Sequence, residues 1–265
     1  MHIHELKYSN TNTYLIEGDK GRLLFDTGWA GTFPAFCRLM GDLHIPVQDI
    51  DYILISHFHP DHMGIAQDIA DLGARIAVAD IQQAFVHSAD SIFAKDAKTP
   101  FRPLVDEKLR IVGIRESRDF LRELGIAGEI VATPGHSDDS ISLCLDEGAV
   151  FVGDLNPLYE LELHKGTQIA ESWNRLLKMK PKRVYYGHAK AAELGGDAAA
   201  AEQEDDRFEL VSRIMKYIDR GMELDKIAKK TGAGKGFVED VARMYLTHQN
   251  VGVQGILDRI EIKGR

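Results

Sequence analysis

A chain of 265 residues is long enough for one large domain or a domain with an appendage, and its 44% hydrophobic content supplies a sizeable core, which excludes disorder over most of its length. The formal charge of −9, from 32 basic against 41 acidic residues, argues against a surface that wraps nucleic acid. Only Cys37 and Cys144 are present, far apart, so neither a disulfide framework nor a thiolate metal site is expected, and a reducing, cytoplasmic setting fits.

The first ten residues, MHIHELKYSN, lack a basic start followed by an apolar run, and no stretch approaches about 18 uninterrupted apolar residues, so neither secretion nor membrane insertion is expected. NTYLIEGDKGRLLFDTG then reads as two strands around a turn at Gly18 to Gly21, with Asp26 closing the second. TFPAFCRLMGDL has helical spacing, and DYILIS is a β-branched strand that runs straight into SHFHPDHMG. GIAQDIADLG, IQQAFVHSADSIFA, SRDFLRELG and QIAESWNRLLKMK read as further helices. RIAVAD, EIVATPGHS, SISLCLD, AVFVGD and RVYYGH read as strands. The pattern is that of an α/β chain with many short strands.

The composition shifts near residue 195, where LGGDAAAAEQEDD, from Leu194 to Asp206, reads as a loop or the solvated start of a helix. It divides an expected domain at 1–200 from a smaller helical one at 203–265. From Glu202 onward acidic and basic residues are equal in number, so the excess negative charge lies in the first part. FELVSRIMKYIDRG, LDKIAKKTG and GFVEDVARMYLTHQ outline three helices, the last two joined by TGAGKG, as in a helix-turn-helix. Arg213, Lys216, Arg220, Lys226, Lys229, Lys230 and Lys235 would suit phosphate, but Glu239 and Asp240 open the third helix and oppose it. The expectation is a helical cap or a homodimer contact, with a small-molecule substrate rather than nucleic acid as partner.

The chemistry-bearing residues each follow a strand: His57 after DYILIS, His136 after EIVATPG, Asp154 after AVFVG and His188 after RVYYG. Strand ends on one edge of a layered α/β domain are where loops converge. His57 and His59 are two apart and share a face if the strand continues, while Asp61 and His62 follow Pro60, a residue suited to a first helical turn. Neutral imidazole and carboxylate suit zinc, and also iron or manganese. With His136, Asp154 and His188 the set exceeds what one tetrahedral ion needs, and two ions sharing a carboxylate would use it all. His2, His4, His44, His87 and His248 read as ordinary surface or core histidines. Tyr159 and His164, just past Asp154, are candidate substrate contacts, and the Phe-rich segment from Phe85 to Pro103, with Lys95, Lys98 and Arg102, is a candidate cover.

SHFHPDHMG, TPGHS, VGDL and YYGHA, in this order, resemble the successive metal motifs of the metallo-β-lactamase fold hydrolases, over roughly residues 1–195. The resemblance implies an αββα sandwich with the metals at one edge of the paired sheets. It implies that His57, His59 and His136 hold one ion, that Asp61, His62 and His188 hold a second, and that Asp154 bridges. Asp61 would orient the attacking hydroxide and carry a proton, and Asp26 would fix a ligand's tautomer from behind. Met63, Gly64, Ile65 stand where many relatives have two glycines, and Tyr186 where proline is common; neither removes a ligand. The layout is most similar to glyoxalase II-like and lactonase-like members, which implies a small ester, thioester or lactone substrate. A mononuclear-iron sulfur dioxygenase-like enzyme, and a phosphodiesterase or nucleic-acid-associated protein acting through the C-terminal helices, are the alternatives carried forward.

Overall fold

The computed structural model describes residues 1–96, 98–194, 206–247 and 251–263. The first half of the chain forms a six-stranded sheet: β1 (His2–Leu6), β2 (Thr13–Glu17), β3 (Arg22–Phe25), β4 (Tyr52–Leu54), β5 (Arg75–Ala79) and β6 (Leu109–Val112), in that spatial order. The first three strands pair antiparallel, and β3 through β6 run parallel. Parallel neighbours need crossovers, and these are α1 (Phe33–Asp42), the short helices α2 (Pro60–Met63) and α3 (Ala66–Ala70), and α4 (Asp90–Phe93). α5 (Ser117–Glu123) leads to the second sheet.

That sheet contains β7 (Gly128–Ala132), β8 (Ile141–Leu145), β9 (Ala149–Phe151), β10 (Arg183–Tyr185) and β11 (Ala192–Glu193), ordered β11-β10-β9-β8-β7, with α6 (Gln168–Lys178) crossing between the parallel pair β9 and β10. Side-chain alternation along the strands sorts the apolar residues into three layers. Leu23, Phe25, Leu54 and Ala77 face Leu143, Leu145, Phe151 and Tyr185 between the sheets. Leu24, Ile53, Ile76 and Val78 face outward onto Phe36, Met40 and Ile69 of the first helical layer. Cys144, Val150 and Val184 face outward onto Trp173 and Leu176 of α6. The result is the expected αββα sandwich.

The C-terminal part forms α7 (Asp206–Asp219), α8 (Leu224–Thr231), α9 (Lys235–Thr247) and α10 (Val253–Lys263) around Val211, Ile214, Ile227, Val241 and Ile256. The first three are the expected helices. The fourth, α10, was not read from the sequence, and neither were strands β1, β6 and β11. IQQAFVHSADSIFA also departs from expectation. It is a 3-10 turn over Asp80–Phe85 followed by the four-residue α4 rather than one helix. Of its apolar residues only Val86, Ala89 and Phe93 are buried, in the outer layer, while Ile81 and Ile92 are exposed, so they make no continuous buried stripe to support one regular helix. The division expected between residues 200 and 203, and His248, fall outside the described residues. Among the described residues no helix is long and apolar enough to cross a membrane.

Candidate metal centre

The loops that carry the candidate ligands leave β4, β7, β9 and β10 at one edge of the sandwich. The continuation of β4 through His57 and His59 is not observed, because pairing stops at Leu54. Beyond it, side chains replace the ladder. Ser56 N–H donates to Asp26 Oδ1 at 2.7 Å, Phe58 N–H donates to Asp139 Oδ2 at 2.7 Å, and Gln82 Nε2 donates to the Ile55 carbonyl at 3.0 Å. Freed from the pleat, His57 and His59 reach the same side by loop curvature. Pro60 then opens α2, as expected, and Thr11 and Thr27 hold it from outside. Thr11 Oγ1 donates to the Asp61 carbonyl at 2.7 Å and Thr27 N–H to that of His62 at 2.7 Å.

The second sheet contributes the remaining groups. Tyr186, at the end of β10, has its carbonyl held by Asn12 Nδ2 at 3.0 Å and by the Tyr14 hydroxyl at 2.7 Å, which fixes the loop carrying His188. Glycine is required beside the ligands. A Cβ on Gly187 would stand 2.8 Å from Asp154 Oδ1, and one on Gly153 would stand 2.4 Å from Ser56 Oγ.

All seven sequence-predicted ligands come together. Three sets have donor atoms close enough to share an ion: His57, His59 and His136; His57, His62 and Asp154; and Asp61, His62 and His188. His59 Nδ1 lies 3.0 Å from His57 Nε2 and 3.1 Å from His136 Nε2. Tetrahedral ligands at roughly 2.0–2.1 Å from zinc are themselves roughly 3.3 Å apart, so the spacing suits a single ion. Asp154 stands between the sets. Its Oδ2 is 3.6 Å from His136 Nε2, while its Oδ1 is 3.2 Å from His62 Nε2 and 3.4 Å from His188 Nε2. Asp61 Oδ2 closes the second set, 3.0 Å from His188 Nε2.

Hydrogen bonds on the far side of each ring set which nitrogen faces inward. His62 Nδ1 lies 2.8 Å from Asp26 Oδ2 and donates to it, and His188 Nδ1 donates to the Asn10 carbonyl at 2.9 Å, so both present Nε2 to the site. Ser56 Oγ donates to Asp26 Oδ2 at 2.8 Å and lies 3.0 Å from His57 Nδ1, so Asp26 orients His57 through the serine and His62 directly. Asp26 takes up this position in the left-handed region, at φ 62°. Ser56, Asn12, Gln82 and Asp139 went unseen in the sequence. Their one advance signal was adjacency to the motif in the case of Ser56; the others lie up to 177 residues from what they hold.

The electrostatics divide the site. Burial, reinforced by the neighbouring His62, pushes His57 well below the usual histidine range, and burial likewise lowers His136, so both rings keep free lone pairs. Burial also opposes charge on His62 and His188, but there the carboxylates win. Asp154, Asp26 and Asp61 push His62 well above its ordinary value, and Asp154 with Asp61 raises His188. A field of three carboxylates strong enough to do this also attracts a metal cation. The fit to a metal rests on a second observation. His62 Nε2 and Asp154 Oδ1 are buried and close, yet neither makes a hydrogen bond. Buried polar atoms are nearly always satisfied, and a shared cation would satisfy both.

The remaining candidates lie apart from the cluster. Tyr159 turns to the C-terminal helices, its hydroxyl donating to Asp258 Oδ2 at 2.9 Å. His164 is buried, with Nε2 unbonded, and its carbonyl accepts from Thr167. In the Phe85–Pro103 segment, Phe93 stacks on Phe101 with ring centres 4.0 Å apart, and Arg102 pairs with Asp71 on α3's far end.

Facing sheets, flanking helices and a buried His/Asp cluster at one edge define an αββα sandwich with a candidate metal centre. The chain belongs to the metallo-β-lactamase superfamily: the profile described as Metallo-beta-lactamase superfamily matches residues 7–188, which leaves α7–α10 beyond it. A Beta-lactamase-like protein 2 homolog of Drosophila melanogaster is 30% identical over 191 residues, 69% of this chain and 60% of its own length. An atrochrysone carboxyl ACP thioesterase of Aspergillus terreus is 27% identical over 146 residues, 54% of this chain and 38% of its own length. The chain thus spans less than two thirds of either relative. The crystal structure of TTHA1623 in a di-iron-bound form matches with a TM-score of 0.56 at 25% identity, covering 75% of this chain and 98% of that one.

Proposed function

We propose that the protein is a dinuclear metallohydrolase of small esters, thioesters or lactones. The observation that carries the reading is Asp154, whose two carboxylate oxygens face different histidine sets: Oδ2 towards His136, Oδ1 towards His62 and His188. His57, His59 and His136 would hold one ion and Asp61, His62 and His188 the other. When bound, such ions supply a water acidic enough to be nucleophilic near neutral pH and a Lewis acid for the substrate carbonyl. The chain's own residues supply the rest. Asp61 is kept ionised by His62 and His188 despite its burial, so it accepts a hydrogen bond from the attacking water and orients it. Asp26 and Ser56 hold the His57 and His62 rings so that nitrogen lone pairs rather than N–H groups face inward.

Thioester chemistry is supported by the thioesterase among the relatives, and iron stands beside zinc and manganese because a structural neighbour was solved with two irons. The glyoxalase II-like or lactonase-like subtype belongs to the same reading, as do a catalytic part at 1–200 and a helical part at 203–265. A hydrolysis panel of thioesters, lactones and phosphodiesters, run beside elemental analysis, tests it. Two metals per chain with thioester or lactone turnover is the expected result. One iron per chain without hydrolysis would overturn it in favour of the dioxygenase alternative.

A further inference from the structure

Each of the two ligand sets draws on both sheets, and different residues join the sheets at each. His57 and His59 follow β4 of the first sheet, while His136 follows β7 of the second. Asp139, three residues past His136, closes the seam between them. Its Oδ2 accepts the N–H of Phe58, the residue between His57 and His59, at 2.7 Å, and beside it Ile141 N–H donates to the Ser56 carbonyl at 2.8 Å. Gln82, fully buried in the turn after β5, backs this seam. Its Nε2 donates to the Ile55 and Asp139 carbonyls, both at 3.0 Å, and its Oε1 accepts from Ala79 N–H at 3.1 Å.

The second set is joined elsewhere, by the loop between β1 and β2. Thr11 Oγ1 holds the Asp61 carbonyl, and the Asn10 carbonyl accepts from His188 Nδ1. Asn12 ties down the chain on both sides of His188: its N–H donates to the Gly187 carbonyl at 2.8 Å, and its Nδ2 donates to the carbonyls of Tyr186 at 3.0 Å and Ala189 at 2.9 Å. Asp139 and Asn12 are both buried, so a bond lost at either leaves a backbone group unpaired away from water. Ligands must be held to within about 0.5 Å of their working positions, and a loop freed at such a point no longer meets that limit. Asp26 and Asp154 each touch both sets, whereas Asp139 and Asn12 serve one set each.

We propose that Asp139 and Asn12 are positioning residues with separate duties: Asp139 sets His57, His59 and His136 for one ion, and Asn12 sets His188 against Asp61 and His62 for the other. The two ions can therefore be weakened one at a time. This inference rests on the dinuclear reading above.

The test strips the full chain of metal and titrates it with zinc against a chromophoric chelator. The parent is expected to take up two ions in two steps, and His59→Ala and His188→Ala identify which step belongs to which ion. Asp139→Ala should weaken the step lost in His59→Ala by about 10- to 100-fold and leave the other unchanged, and Asn12→Ala should do the reverse. Asp139→Asn keeps an oxygen for Phe58 N–H and should restore most of the affinity. Gln82→Leu and Thr11→Val each remove one donor from a seam. They should weaken the same steps as Asp139→Ala and Asn12→Ala respectively, and they decide the matter where an alanine variant does not fold. In the metal-free chain, amide exchange at Phe58 should quicken in Asp139→Ala and not in Asn12→Ala. Equal weakening of both steps by one variant, no weakening of either, or uptake of both ions as a single step would overturn the separate duties while leaving the dinuclear reading intact. A parent that takes up only one ion would overturn that reading and the separate duties with it.

Discussion

The edge of the sandwich and the outer surface of α7–α9 are both dense in charged side chains, and they differ in what those side chains do with one another. On the helices several charges meet an opposite one close by in solvent: Lys226 with Glu223, Lys235 with Asp225, Arg243 with Asp240. At the sandwich edge His57 and His62 are buried and the Asp154 side chain nearly so, and two inward-facing atoms, His62 Nε2 and Asp154 Oδ1, have no hydrogen-bond partner among the described residues. Exposed pairs of the first kind contribute little and satisfy themselves. Buried groups of the second kind are expensive unless something completes them. The density of charge is therefore a poor guide to function, and burial without a partner is a good one.

The comparison can be broken most decisively at the buried end. His59→Ala or Asp154→Asn should lower hydrolysis by at least about 1,000-fold and reduce the metal found by elemental analysis. Chelation should have the same effect, reversed by adding back the native ion; retained activity in either variant would remove the metal centre from the mechanism. Asp26→Asn keeps a residue type that tolerates positive φ while removing the charge behind His62. It should weaken metal affinity by about 10- to 100-fold, read by competition with a chromophoric chelator.

Smaller effects are expected as exposure grows. Tyr159→Phe deletes the hydrogen bond to Asp258 and should cost about 1 kcal/mol in chemical denaturation, seen first in probes on α10. His87 lies 3.1 Å from both Asp90 and Asp106, and these carboxylates raise its pKa. The stabilisation this implies is present below the ordinary histidine pKa and is lost as pH rises through the folded one. Amide exchange in the segment containing α4 should therefore quicken slightly across that interval, and His87→Gln should abolish the pH dependence. Lys235→Ala, at the fully exposed end of the comparison, should leave activity and the melting midpoint unchanged; a clear drop would mean that the surface charges of the helices matter more than their pairing suggests.

Much of the sandwich was legible because its strands and long helices carry periodic apolar patterns, as in RLLF, ISLCL and QIAESWNRLLK. Most of what escaped had no such pattern: β1 alternates histidines with other residues at a sheet edge, β6 is partly exposed and β11 is two residues long. α10 is the exception, since Val253, Ile256, Leu257 and Ile260 have helical spacing and pack into the helical core. The ligand types were readable too, since four metal-seeking side chains within HFHPDH have no ordinary structural purpose.

Sequence alone determined which groups the centre contains and which strands carry them, because ligand chemistry and hydrophobic period are local properties of the chain. Only the tertiary structure decided that His57 and His59 converge by loop curvature rather than by pleat, and that Asp26 orients His62 directly and His57 through Ser56. It alone brought Asp139 to Phe58 and Asn12 to the loop that carries His188. Each of these depends on backbone and side-chain donors finding acceptors tens of residues away, and no local pattern encodes such a partnership.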